Sequence, residues 1–389
     1  MTNDAFEVRD LAPDDHEQAL AVRTRSFGTL DASLRDWWNS VQDELIAQRR
    51  VIGVFDGDRL VGTAKGRSFQ QFWGGRPVPM SGVAGVVVLP DYRGRGVASL
   101  MMGALAERSR ELGDAVSALY PATVAPYRRS GWEIAGVQNR ITIDARHLRG
   151  LARADVRLRP GEKADRDLVL DLQACAYAAQ RANGAKLLTG AELDDALDAD
   201  SFSYFTDDGC VLYEWDEGNL VVSCLLAGSE ATARALWSVV GSGSSVAKQV
   251  HAYVPPDDPI HLLLPEEAAH DVQQHRWMFR LLDLPAAVAA RGFAEHVQGS
   301  APLSVQDPLL PSQSGTWVLE VAAGRGSLTR TAAVEGAVQL GPNGLAGLYA
   351  GTRLHVLRAA GLATGGGAEA DAFLDSAFAG PMPYLLEYF

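Results

Sequence analysis

The sequence predicts an α/β and α+β fold in which mixed sheets flanked by helices form two similar units, followed by a smaller α+β domain. Three observations support this prediction. A valine-rich strand passes through a glycine turn into a long helix between Val86 and Leu112, two β-hairpins align at a constant offset of 160 residues, and the composition changes from about Leu303. We therefore expect domains at residues 1–150, 151–295 and 296–389.

Hydrophobic periodicity predicts the elements of the first unit. Apolar alternation predicts strands at 8–15, 51–55, 60–65, 80–89, 115–120 and 132–143. Helical spacing predicts helices at 17–26, 32–49, 96–112 and 127–130. The turn Asp56-Gly57-Asp58 joins the second and third of these strands, so we expect them to form a hairpin.

The second unit follows a linker expected at 148–155 and repeats the first in outline. Val156-Arg157 and a helix at 165–182 correspond to Val8-Arg9 and the first helix, and a hairpin of 211–215 with 220–226 corresponds to the first hairpin. Nothing between Glu230 and Pro255 resembles the glycine turn of the first unit. We therefore expect a duplicated but degenerate domain.

The third domain is predicted from short alternating segments and two helical ones. Strands are expected at 317–321, 327–331, 337–340 and 354–359, and helices at 342–349 and 369–378. The sequence closes on the apolar run Pro383 to Phe389. Because loose termini are usually polar, we expect this run to be docked on the protein.

Composition excludes several classes of protein. A formal net charge of -13 argues against a broad nucleic-acid interface. The three cysteines, Cys175, Cys210 and Cys224, have no metal spacing, so we expect reduced core thiols in a cytoplasmic protein. The eight histidines are scattered, and no metal is expected. Met1 to Asp10 lacks the apolar stretch of a secretory signal, and no apolar run is long enough to span a membrane.

The glycine turn has the chemistry of an anion site. Gly94 and Gly96 allow close approach of the backbone, Arg93 and Arg95 supply charge, and the following helix presents free N–H groups at its start. A pyrophosphate fits such a site. A dinucleotide fingerprint is an alternative, but Ser99 stands where its third glycine belongs. A plain surface turn is the other alternative.

The run Val86-Val87-Val88-Leu89-Pro90 followed by Tyr92-Arg93-Gly94-Arg95-Gly96-Val97-Ala98 resembles the acetyl-CoA signature of the GNAT acetyltransferases. The resemblance implies that the loop binds the CoA pyrophosphate and that the strand pairs with the pantetheine arm. It implies acetyl-CoA as co-substrate, and these residues contacting it: Val86, Val87, Val88, Arg93, Gly94, Arg95, Gly96, Val97, Ala98 and Ser99.

A second motif, Ala125-Pro126-Tyr127 leading to Gly131-Trp132, resembles the GNAT segment whose tyrosine protonates the departing CoA thiolate. A free tyrosine has a pKa of about 10 and a thiol one of about 8.5, so donation by Tyr127 is chemically reasonable. A tyrosine packed beneath a helix is the structural alternative.

The layout of two GNAT units and a small final domain resembles the Eis (enhanced intracellular survival) acetyltransferases. This resemblance implies a third domain similar to sterol carrier protein 2, a homohexamer and acetylation of amines on aminoglycosides. It also implies that a terminal carboxylate, here that of Phe389, acts as general base. A terminal carboxylate is a weak base, so it needs desolvation or a water relay.

The expected substrate is therefore a cationic amine, bound by carboxylates and aromatic faces. Candidate contacts are Phe27, Asp31, Trp37, Trp38 and Glu387. The expected reaction is direct attack of the amine on the thioester within a ternary complex. A lipid-binding protein regulated by acetyl-CoA and a protein lysine acetyltransferase are the alternatives.

Overall fold

The computed structural model describes residues 6–151, 155–198, 201–266 and 268–389. The predicted linker at 148–155 and the N-terminal segment at 1–10 lie partly outside these residues. Three units follow one another along the chain. The first contains β1 (Glu7–Asp10), α1 (His16–Phe27), α2 (Ala32–Ala47), β2 (Val51–Asp56), β3 (Arg59–Trp73), β4 (Arg76–Val88), α3 (Val97–Glu111), β5 (Val116–Leu119), α4 (Val124–Arg129), β6 (Glu133–Asp144) and α5 (Ala145–Arg149).

The second unit repeats this order with fewer residues. It contains β7 (Arg159–Pro160), α6 (Arg166–Ala179), α7 (Gly190–Ala196), β8 (Ser201–Phe205), β9 (Gly209–Asp216), β10 (Asn219–Ala227), α8 (Glu230–Gly241), β11 (Gln249–Tyr253), α9 (Ile260–Leu263) and β12 (Ala269–Leu281). The third contains α10 (Leu284–Ala290), β13 (Gly299–Val305), β14 (Gly315–Ala322), β15 (Arg325–Thr331), β16 (Val338–Leu340), α11 (Pro342–Tyr349), α12 (Leu354–Ala359), β17 (Ala363–Gly365) and α13 (Ala368–Ala377).

The first two units share one sheet of 12 strands, in the order β1-β2-β3-β4-β5-β12-β6-β11-β10-β9-β8-β7. Strand β12 of the second unit lies between β5 and β6 of the first and pairs antiparallel with both. The third unit has a separate sheet of 5 strands, ordered β15-β14-β13-β16-β17. The strand exchange at β12 means that the first two units fold as one body.

An internal repeat is visible in side-chain contacts as well as in strand order. Arg9 donates two hydrogen bonds to the carboxylate of Asp15, at 2.6 and 3.0 Å. Arg159 binds Asp165 in the same way, at 2.8 and 2.7 Å. The counterpart of Arg9 is therefore Arg159, and not Arg157 as the sequence alignment suggested.

Two predictions about individual segments were wrong, and one long strand was missed. Residues 354–359 form helix α12 and not a strand, because Leu354 and Leu357 are buried at helical spacing while Val356 between them is exposed. Strand β12 was not predicted, since most of its first half is exposed and lacks apolar alternation. Cys175 is exposed on α6, whereas the other two cysteines are buried.

Candidate acetyl-CoA and acceptor site

A bulge in β4 opens the sheet beside β5. Thr63 of β3 is paired with Val87 and Lys65 with Ala84, so Gly85 and Val86 together face the single residue Ala64. Gly85 has a φ of +58°, which glycine adopts without strain. Strand β4 pairs with β5 only over Met80 to Gly82. Beyond Gly82, no described strand pairs with this edge of β4, and its backbone groups remain available to a ligand.

The glycine turn that follows β4 is exposed and leads into α3. Gly94 and Gly96 have φ angles of +78° and +83°, and Gly96 is the residue before the first helical position. The N–H groups of Val97 and Ala98 donate to no backbone carbonyl of the described residues. The positive end of the α3 dipole adds to the attraction of these N–H groups for a negative charge. The geometry is that of an anion site.

The two arginines of this turn are held in different ways. The Arg93 Nε donates to the carbonyl of Val88 at 3.4 Å. The guanidinium of Arg95 lies 4.7 Å from the centre of the Tyr92 ring and 5.0 Å from that of Phe6. Both residues are exposed, as is Ser99 on the first turn of α3. The donors needed for a pyrophosphate are therefore grouped at one helix end.

A cavity of about 470 Å³, called the main cavity below, adjoins the open edge of β4. Its walls come from α1, α2, β3, β4, the segment around α4 and the last two residues of the chain. The cavity-lining aromatic residues are Phe27, Trp37, Trp38, Tyr120, Tyr127, Tyr388 and Phe389. Val86 of the bulge lines the same cavity, so the bulge, Tyr127 and Phe389 face one partly enclosed space.

Tyr127 is half-buried on the short helix α4, and its carbonyl accepts a hydrogen bond from the Trp132 backbone N–H at 3.1 Å. Burial, together with the neighbouring Tyr388, raises the pKa of Tyr127. Its phenol therefore stays protonated at neutral pH and is able to donate a proton.

The final residues cross the first unit and end at the cavity. The Leu385 backbone N–H donates to the carbonyl of Val137 at 3.0 Å, and Tyr120 donates to the carbonyl of Glu387 at 3.0 Å. The Phe389 ring lies 5.1 Å from that of Phe69, and the Tyr388 ring stacks on Tyr120 at 4.4 Å. The apolar run is thus docked, as the sequence predicted, and Phe389 is placed beside the bulge.

The predicted acceptor contacts divide into two groups. Phe27, Trp37 and Trp38 line the cavity. Asp31 does not: its carboxylate caps α2 by accepting from the Leu34 backbone N–H at 2.9 Å. Glu387 points away into a second cavity of about 220 Å³, where its carboxylate lies 3.6 Å from the Lys186 ammonium. Neither acidic residue therefore faces the space beside Tyr127.

Sequence reasoning missed three cations that line the main cavity: Arg23, Lys65 and Arg67. Lys65 is buried, and its ammonium lies 4.5 Å from the centre of the Trp38 ring. Burial, and then the nearby charges of Arg23 and Arg67, lower the pKa of Lys65 to about 7. The sequence held a weak signal, because Lys65 is the one charged residue of the strand predicted at 60–65.

Comparisons with known proteins agree with this architecture. Residues 7–135 and 197–281 each match an acetyltransferase (GNAT) domain, and residues 284–386 match a sterol carrier protein domain. The chain is 29% identical to N-acetyltransferase Eis of Mycobacterium tuberculosis over 360 residues, which cover 85% of this chain and 86% of that protein.

Solved structures show the same arrangement over the whole chain. A GCN5-related N-acetyltransferase from Kribbella flavida is 47% identical, has a TM-score of 0.95, and is matched over 99% of this chain and 98% of its own. Eis1 from Mycobacterium abscessus shares the fold, with a TM-score of 0.77 at 24% identity, over 99% of this chain and 100% of its own.

The fold, the bulged strand and the glycine turn define an N-acetyltransferase. The chain belongs to the GCN5-related N-acetyltransferase (GNAT) family, and within it the chain is Eis-like, with two GNAT domains and a sterol-carrier-like third domain. The predicted duplication is thereby confirmed. The family uses acetyl-CoA, and the residues of this chain fit that molecule, because the anion site at α3 and the open edge of β4 are contiguous.

Two further findings concern the described residues. Among them, no helix is long and apolar enough to cross a membrane. In the same part of the chain, no three or more His, Cys, Asp or Glu side chains are grouped to hold a metal ion.

Proposed function

We propose that this protein transfers an acetyl group from acetyl-CoA to an amine of a small molecule bound in the main cavity. The observation that carries the proposal is that Val86 of the bulge, Tyr127 and Phe389 all line that one cavity. Acetyl-CoA supplies the acetyl group as an activated thioester. The amine attacks it directly while both substrates are bound, and no covalent enzyme intermediate forms.

The glycine turn and β4 hold the co-substrate in this proposal. Arg93, Gly94, Arg95 and Gly96 surround the pyrophosphate, and the N–H groups of Val97 and Ala98, together with the exposed Ser99, contact it at the start of α3. The backbone of Val86, Val87 and Val88 offers hydrogen bonds along the open strand edge. An N–H group there stabilises negative charge that develops on the acetyl oxygen.

Tyr127 and Phe389 move the protons. The reaction forms a C–N bond and breaks the C–S bond, so the amine loses a proton and the thiolate gains one. We assign the first proton to the α-carboxylate of Phe389, directly or through water, and the second to the phenol of Tyr127. The raised pKa of Tyr127 keeps that proton available at neutral pH.

The remaining sequence-based expectations stay predictions. An aminoglycoside-like acceptor was expected to be held by Asp31 and Glu387, and neither lines the cavity. Phe27, Trp37 and Trp38 do line it, and we keep them as acceptor contacts. A homohexamer is tested by light scattering of the purified protein, and a cytoplasmic location by fractionation of cells.

The test is release of CoA thiol from acetyl-CoA by the purified protein, with a panel of amines that includes aminoglycosides, polyamines, amino acids and a lysine peptide. The product is identified by the mass of one added acetyl group. Thiol release together with an N-acetylated product supports the proposal. Binding of acetyl-CoA without thiol release for any amine contradicts it and favours the binding-protein alternative.

A further inference from the structure

The main cavity has a charge pattern that the proposed reaction does not explain. Arg23 from α1 and Lys65 and Arg67 from β3 all line it. Within the described residues, none of the three forms an ion pair with a carboxylate, the terminal carboxylate of Phe389 included. Three cations therefore share one partly enclosed space, and among the residues that line it the only counter-charge is the terminal carboxylate of Phe389, which pairs with none of them.

Lys65 is the most informative of the three. Lys65 is only 9% exposed, yet its ammonium contacts the face of Trp38 and pairs with no carboxylate of the described residues. A buried ammonium is costly unless it is paired, and the two arginines increase that cost. A ligand that brings a negative charge into the cavity offsets it.

The CoA pyrophosphate is not that ligand, because it belongs on the other face of the sheet. Glycines 62 and 66 of β3 face α3, since an added Cβ there would meet Val97, Met101, Leu105 and Ser109 of that helix. Side chains alternate along a strand, so Lys65 and Arg67 project from the opposite face. The face of the sheet with Lys65 and Arg67 carries α1 and α2. The anion site at α3 lies on the opposite face of the sheet.

We propose that the acetyl acceptor is a small amine that also carries a carboxylate, with Arg23, Lys65 and Arg67 binding the carboxylate and the aromatic wall holding the body of the molecule. This inference rests on the proposed acetyl transfer and names the substrate class for the same cavity. Phe27, Trp37 and Trp38 supply the apolar surface for that body. An arginine matches a carboxylate with two parallel hydrogen bonds, which gives orientation as well as affinity.

The same charges disfavour a polycation. An aminoglycoside or polyamine would place further positive charges beside three existing ones, in a space of low polarity where like charges repel strongly. The two acidic residues expected to offset them face elsewhere. The arrangement therefore selects against the acceptor class that the family resemblance implied.

The experiment compares matched acceptors by thiol release. Phenylalanine, para-aminomethylbenzoate and delta-aminovalerate are each measured beside the corresponding carboxamide, with spermidine and kanamycin as polycations. We expect kcat/KM for at least one carboxylate to exceed that of its carboxamide by about tenfold or more. Equal values for every pair, or a preference for the polycations, overturns the inference while leaving acetyl transfer intact.

Variants locate the preference in the cavity. Arg67→Gln and Lys65→Gln should each lower the carboxylate-to-carboxamide ratio towards one. Arg25→Gln is the control for removal of a positive charge, because Arg25 is exposed and lies outside the cavity. An unchanged ratio in both cavity variants contradicts the assignment.

Failure of the proposed reaction is distinguished by calorimetry with the same compounds in the absence of acetyl-CoA. If no amine supports thiol release but a carboxylate binds more tightly than its carboxamide, and Arg67→Gln removes the difference, the anion site stands and acetyl transfer falls. If carboxylate and carboxamide bind equally, the anion site falls.

Discussion

The ammonium of Lys65 lies 4.5 Å from the centre of the Trp38 ring, where β3 meets α2 at the wall of the cavity. Burial and the charges of Arg23 and Arg67 lower the pKa of Lys65 from 10.5 to about 7. The folded protein therefore carries a cost of keeping this group charged, and that cost depends on pH.

This cost predicts how Lys65→Met changes stability. Below pH 7 the lysine is protonated in both the folded and the unfolded protein, so the whole cost is present. Between pH 7 and 10.5 the unfolded protein binds more protons than the folded one, so the cost is relieved as pH rises. Replacing Lys65 by Met should raise the free energy of unfolding above that of the wild type. We expect this increase to be roughly 3 kcal/mol larger at pH 6 than at pH 10. Urea unfolding at both pH values measures it, and an equal gain at both would contradict the burial argument.

Tyr127→Phe tests the proton donor. Loss of a positioned general acid costs about 10²-fold or more in turnover, so we expect kcat to fall by that amount while acetyl-CoA binding is retained. Thiol release under saturating substrates measures the change. Tyr204→Phe, on strand β8 and outside the main cavity, is the control and should keep wild-type turnover. Unchanged turnover in Tyr127→Phe removes this residue from the mechanism.

Gly94→Ala tests the anion site. An added Cβ at Gly94 meets nothing within 4 Å, but the φ of +78° disfavours alanine by about 1 kcal/mol and shifts the turn. We expect KM for acetyl-CoA to rise about tenfold. Gly57→Ala is matched, because it also has positive φ and open space but lies in the hairpin turn between β2 and β3. An equal change of KM in both variants would show that strain alone, and not the site, is responsible.

Asp307→Ala tests the junction of the units. The fully buried Arg280 donates to both oxygens of Asp307, at 2.9 and 2.7 Å, and to the carbonyl of Ser130 at 2.8 Å. Removing Asp307 leaves a buried charge unpaired, so we expect a loss of about 3 kcal/mol or more in the free energy of unfolding. Glu230→Ala breaks the exposed pair with Arg234 and should cost under about 1 kcal/mol. Similar losses in the two variants would contradict the account.

Local motifs allowed much of the fold and of the co-substrate site to be predicted from the sequence. The strand, glycine turn and helix from Val86 to Leu112 are contiguous, and their anion chemistry follows from residue types alone. The hairpins were recognisable because the offset between them is constant. Such features depend on residues that are close together in the chain, so they can be recognised from a single sequence.

Features that depend on contacts between segments far apart in the sequence could not be predicted in this way. Strand β12 is stabilised by β5 and β6 on either side, so its own residues show little alternation over its first half. The cavity brings Arg23, Lys65 and Phe389 together from three distant segments. Glu387 was assigned to the cavity by its position beside Phe389, yet the backbone bends at Leu386 and Glu387, and the Glu387 carboxylate lies beside Lys186 instead.

Initial-velocity kinetics with acetyl-CoA and an amine acceptor test the central claim most directly. Both concentrations are varied, and the rate of thiol release is plotted reciprocally for each fixed level of the second substrate. Direct attack requires both substrates bound together, so the account predicts lines that intersect. Parallel lines, with an acetylated protein detected by intact mass before the amine is added, would contradict it.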